Sequence, residues 1–169
     1  LGDGADTLSL SSGTNSLTVT NVETLLGGSG ADTITLGSAV TDGGLDLGSG
    51  SDKLTLSNSF NQVTLTNVET IVGGTSSDSI TLRAALVSGT IDLGAGSDFL
   101  TLADAANTLT LSNVEAVTGG TGADNVTLAT AVSGASIVLG AGSDKLTLAN
   151  GTNSLTIGND IETLIGGTG

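Results

Sequence analysis

The chain has 169 residues, 17 acidic against three basic side chains for a formal net charge of −14, and two Phe as its only aromatic residues. With no Cys and no His it has no zinc finger, haem ligation, iron–sulfur cluster, Ser-His-Asp triad or disulfide framework. The charge makes nucleic acid a poor partner, and no apolar run of the ~18 residues that a spanning helix needs is present.

The first ten residues, LGDGADTLSL, open a repeat. They return as LGSGSDKLTL at 47–56, LGAGSDFLTL at 93–102 and LGAGSDKLTL at 139–148, each step being 46 residues. Next comes LTVTNVETL at 17–25, which returns at 63–71 and 109–117, with a fourth copy at 155–164 that carries one inserted residue near Asp160. Then GGSGADTITL at 27–36 returns at 73–82 and 119–128. A repeat at this period is the signature of a solenoid. Strict alternation in Thr33–Leu36, Leu54–Leu56, Val63–Leu65 and Leu109–Leu111 predicts short half-buried strands. No run of helical length carries a 3.6 period. The fold expected for 1–169 is therefore one all-β unit, a parallel β-solenoid with a right-handed crossover.

Each unit contains two G-x-G-x-D loops. Their aspartates are Asp6, Asp32, Asp52, Asp78, Asp98, Asp124 and Asp144, a longer interval alternating with a shorter one so that the two together make one repeat. Two coils per unit give about 23 residues per coil, seven coils in all, and put the seven aspartates in one file along one edge at ~4.8 Å spacing. Unit charges so close repel by ~0.9 kcal/mol in water and ~3.5 kcal/mol at an effective dielectric of 20. Cations between them relieve that. The accompanying Gly2, Gly4, Gly28, Gly30, Gly48, Gly50, Gly94, Gly96, Gly120, Gly122, Gly140 and Gly142 let carbonyls turn toward the same point. A carboxylate and carbonyl set suits Ca²⁺ better than Mg²⁺. Solvated aspartates on plain glycine turns are the alternative.

At these residues the chain resembles the RTX (hemolysin-type) calcium-binding nonapeptide G-G-x-G-x-D-x-U-x, itself a known β-helix repeat. Gly27 to Thr35 and Gly119 to Thr127 match it fully, Leu1, Leu47, Leu93 and Leu139 replace the first Gly elsewhere, and Ser76 replaces the third in the 73–81 copy. The resemblance implies Ca²⁺ between consecutive loops, export from a bacterium and folding outside the cell. It departs from the family in that the nonapeptides are not in direct tandem.

Other repeated residues receive structural readings. Asn15, Asn61, Asn107 and Asn153, and Asn21, Asn67, Asn113 and Asn159, are read as corners. Glu23, Glu69, Glu115 and Glu162 are read as a solvated acidic stripe. Asp46 and Asp92 precede loop glycines, but Val138 fills the equivalent place, so their role does not generalise. Lys53, Lys145 and Phe99 are read as outward-facing. No catalytic constellation stands out, because every acid belongs to a repeated set. The expectation is a non-enzymatic calcium-binding structural repeat of a secreted surface protein, such as an adhesin stalk, S-layer or filament, and a segment of a longer array. Self-association end to end or side to side and a cell-surface glycan are the further partners considered. A metal-independent filament module and an ice-binding Thr array are the alternatives.

Overall fold

The computed structural model describes all of residues 1–169. It contains no helix and eighteen strands: β1 (Thr7–Ser9), β2 (Ser16–Val19), β3 (Thr24–Leu26), β4 (Thr33–Leu36), β5 (Thr41–Asp46), β6 (Lys53–Thr55), β7 (Gln62–Thr66), β8 (Thr70–Gly74), β9 (Ser79–Leu82), β10 (Val87–Gly94), β11 (Phe99–Thr101), β12 (Thr108–Ser112), β13 (Ala116–Thr118), β14 (Asn125–Leu128), β15 (Ser133–Val138), β16 (Lys145–Thr147), β17 (Ser154–Ile157) and β18 (Thr163–Ile165). Odd-numbered strands form one nine-stranded sheet and even-numbered strands another. All pairings are parallel. The chain thus winds as a β-solenoid of about eight turns, each coil giving one strand to each sheet. Nine strands at ~4.8 Å make a stack ~38 Å long.

Alternation decides which side chains face inward. In β4, Ile34 and Leu36 are buried while Thr33 is exposed and Thr35 half-buried. Stacked coils line such residues up: Leu17, Ile34, Leu54, Ile71 and Ile91 are successive partners along one sheet. The two inner faces form a single aliphatic cluster of 34 buried residues. A ladder of Leu, Ile and Val keeps the space between the sheets narrow, which accounts for the outward placement of both Phe60 and Phe99, each about half exposed.

The coil is shorter than the sequence spacing suggests. Leu8 pairs directly with Leu25, and Leu25 with Leu45. Five strands, β1 to β5, lie between Thr7 and Asp46, and β6 begins at Lys53, 46 residues after Thr7. At two strands per coil, one unit spans two and a half coils, where the loop spacing alone suggests two. Because five is odd, each unit starts on the opposite sheet from the one before. Equivalent positions in consecutive units therefore lie on opposite sides of the rod.

Candidate functional site

The half-coil offset redistributes the loop aspartates. Asp32, Asp52, Asp124 and Asp144 precede even-numbered strands, and Asp6, Asp78 and Asp98 precede odd-numbered ones. They occupy two opposite edges, not one. They also point inward: Asp32, Asp52, Asp78, Asp98, Asp124 and Asp144 are 0–2% exposed. The reason lies in the strand period. Each stands two residues before the first interior aliphatic of its strand, as Asp32 before Ile34 and Asp52 before Leu54, so its side chain shares that inner face.

The same position in neighbouring coils carries Asn and Glu, and together they form a hydrogen-bonded file. On one edge Asn15 N–H donates to Asp32 Oδ1 (2.8 Å), Asp32 N–H to Asp52 Oδ1 (2.7 Å), and Asp52 N–H to Glu69 Oε2 (2.8 Å). The file resumes with Asn107 N–H to Asp124 Oδ1 (3.0 Å), Asp124 N–H to Asp144 Oδ1 (2.7 Å) and Asp144 N–H to Glu162 Oε2 (2.7 Å). On the other edge Asn61, Asp78, Asp98 and Glu115 repeat the pattern at 2.8, 2.6 and 2.9 Å. The glutamates are thus not a purely solvated stripe: each accepts a main-chain hydrogen bond, as Glu23 Oε2 does from Asp6 N–H (2.8 Å), with Glu23, Glu69 and Glu115 half-buried and Glu162, in the last coil, exposed. At the fifth coil position the polar residue gives way to Gly43, Gly89 or Ala135, all buried, and an aliphatic side chain fills the room. A Cβ added at Gly43 would overlap Val40, and one at Gly89 would overlap Leu86.

The second asparagine row does form corners. Asn21, Asn67 and Asn113 have φ of 52–54°, which asparagine tolerates better than most residues. The loop glycines have a second role as spacers. A Cβ at Gly48 would overlap the carbonyl oxygen of Gly28, one at Gly50 that of Gly30, and one at Gly140 that of Gly120. Carbonyls of one glycine turn therefore press against the glycines of the next. Gly94 and Gly142 meet Gly74 and Gly122 in the same way, and Gly96 packs against the backbone of Ser76 and Ser77. Gly2 and Gly4 have open space, and Gly2 N–H donates to Asp6 Oδ2 (3.0 Å).

One atom of each interior aspartate is left over. Oδ2 of Asp32, Asp52, Asp78, Asp98, Asp124 and Asp144 is buried and has no hydrogen-bond partner. A buried carboxylate oxygen without a partner is costly. Burial pushes the carboxyl of Asp98 up to about 6, with the Glu115 and Asp78 charges adding to it. Burial likewise raises Asp52, where Glu69 and Asp32 contribute, Asp78, and Asp124, where Asp144 contributes. Nowhere do three or more acidic side chains converge on one point, so a cation held here would need main-chain carbonyls for most of its oxygens. The donor set (carboxylates and carbonyls with no nitrogen or sulfur) fits a hard cation.

Asp46 and Asp92 also gain a general role. Each accepts from the N–H of the glycine two residues on, Gly48 (3.0 Å) and Gly94 (3.2 Å), while Asn67 and Asn113 bind them from the next coil (2.8 and 2.7 Å). In the third unit Val138 offers no acceptor, and Gly140 N–H turns instead to Oδ2 of Asp160, the residue inserted in the fourth copy. The insertion thus supplies an acceptor for the glycine N–H in place of the one that the valine lacks. No family model, no curated protein and no solved structure matches this chain.

Proposed function

We propose that the chain is a calcium-binding structural repeat of a secreted bacterial surface protein, the kind of rod used in an adhesin stalk, S-layer or extracellular filament. One observation carries this reading: six buried aspartate oxygens without partners, on both edges, in turns whose main-chain carbonyls press on the glycines of the next coil. Ca²⁺ takes 6–8 oxygens from carboxylates and carbonyls, and two stacked turns offer both. The chemistry is linkage. An ion that binds the stacked coils and not the unfolded chain stabilises the rod by RT ln(1 + [L]/Kd) per site. Such a chain stays loose where calcium is scarce and stiffens outside the cell where it is abundant. Thermal melting in excess EDTA and in millimolar CaCl2, with bound ions counted by native mass spectrometry, tests the reading. Calcium raises Tm and adds whole ions to the mass. Identical melts with no ion taken up reject it.

A further inference from the structure

The asparagine turns show what belongs in the aspartate turns. In the turn ending at Asn107, Oδ1 accepts the N–H of Leu86 from the coil before (3.0 Å). Nδ2 then donates to three oxygens: the carbonyls of Ala103 (3.1 Å) and Ala105 (2.7 Å), four and two residues back, and Asp124 Oδ1 in the next coil (2.8 Å). Asn15 does the same with Ser11, Gly13 and Asp32 at 2.8–3.0 Å, and Asn61 with Ser57, Ser59 and Asp78 at 2.6–3.2 Å. One polarised N–H₂ group sits in a nest of oxygens.

Asp124 has the same shape as asparagine and the same first bond, its Oδ1 accepting a main-chain N–H from the coil before. The residues four and two back are Gly120 and Gly122. Their carbonyls press on Gly140 and Gly142 of the next coil, just as the Ala105 carbonyl presses on Gly122 and that of Ser57 on Gly74. The next coil again supplies a carboxylate, Asp144 Oδ1, bound to Asp124 N–H. The atom that corresponds to Nδ2 is therefore Oδ2 of Asp124, buried and unpartnered. Where asparagine offers hydrogens to three oxygens, aspartate offers a fourth oxygen. The turns at Asp32 and Asp78 repeat this, with Asp52 and Asp98 in the role of Asp144.

We propose that in the turns ending at Asp32, Asp78 and Asp124 a divalent cation does the work that the asparagine amide does one coil earlier, so that each asparagine turn is a built-in metal-free version of the site beside it. This rests on the calcium reading and refines it: whether a turn needs an ion is set by one atom, Oδ2 against Nδ2. Asp124→Asn should convert a metal-dependent turn into a metal-independent one, and Asn107→Asp should do the reverse.

The test uses both variants of the full chain, with ions counted by native mass spectrometry in CaCl2 and melting followed in EDTA and in CaCl2. Asp124→Asn is expected to hold one Ca²⁺ fewer than the wild type and to melt higher than the wild type in EDTA. Asn107→Asp is expected to hold one more, to melt lower in EDTA, and to regain the loss in CaCl2. If the wild type takes up no calcium, the proposed function fails and this refinement fails with it. If the wild type takes it up but Asp124→Asn keeps the full complement or melts below the wild type in EDTA, the interchange of amide and ion is overturned while the calcium reading stands.

Discussion

Acidifying the metal-free protein from pH 7.5 to pH 5 should stabilise it, the reverse of ordinary acid denaturation. Asp98 shows the size of the effect. Its carboxyl titrates at about 6 in the folded chain, against 3.8 for the unfolded reference, because it is buried and faces Glu115 and Asp78. Between those values the folded chain holds a proton that the unfolded chain has released. Stability therefore falls as pH rises through that window and is regained as pH drops. At ~1.4 kcal/mol per pH unit, the full window is worth at most roughly 3 kcal/mol for this residue. Solvent at the edge of the rod screens part of that, leaving about 1–2 kcal/mol. Asp52, Asp78 and Asp124 are shifted in the same direction. For a chain of this length 1 kcal/mol moves Tm by ~2–4 °C, and pH 7.5 to 5 crosses about half of that window, so Asp98 alone accounts for roughly 1–4 °C over this range. Melting by circular dichroism in EDTA, in buffers from pH 7.5 to 5, measures it. Asp98→Asn should flatten part of the slope. Saturating calcium should invert the trend, because the ion binds the ionised carboxylate. A Tm in EDTA that is flat or falls on acidification would show that these side chains are not carrying uncompensated buried charge.

Two glycines close in sequence should respond in opposite ways. Gly48 has φ of +86° and no room beside the Gly28 carbonyl, so Gly48→Ala should cost more than the ~1–2 kcal/mol of the left-handed backbone alone. Gly44 lies between Thr24 and Thr64 in the sheet with open space at its Cβ, so Gly44→Thr should gain about 0.5–1 kcal/mol. Equal denaturant midpoints for the two variants would contradict the stacking described. The inserted Asp160 should prove compensatory. Asp160→Ala should cost ~1.5–3 kcal/mol as a charged hydrogen bond is lost, and adding Val138→Asp should recover most of it; simple additivity in a double-mutant cycle would refute the exchange.

Much of this was legible in the residues. Period-2 segments such as Thr33–Leu36 fixed the strands, the 46-residue repeat fixed the solenoid, and the missing aromatics fitted a narrow aliphatic interior. The inward direction of the carboxylates was legible too. Extending the alternation one step back from Ile34 reaches Asp32, from Ile71 reaches Glu69, and from Leu109 reaches Asn107, all on the inner face. Reading Glu69 and its equivalents as solvated missed that step, because acidic residues ordinarily face water.

What the chain alone determined is the local chemistry: which segments are strands, which turns carry glycine, and that acid recurs beside them. Local alternation suffices for that, since it depends only on neighbours along the backbone. Only the tertiary structure decided how long a coil is. The turns at Asn15, at Asn21 and at residues 37–40 carry no paired-glycine signature, yet each turns the chain as fully as the two glycine loops of the same unit do. One repeat unit therefore holds five strands and not four. Register between coils is set by interior side chains meeting at long range, Leu25 over Leu8 and Leu45 over Leu25. That contact, absent from any single stretch of sequence, sends successive pairs of carboxylates to opposite edges of the rod.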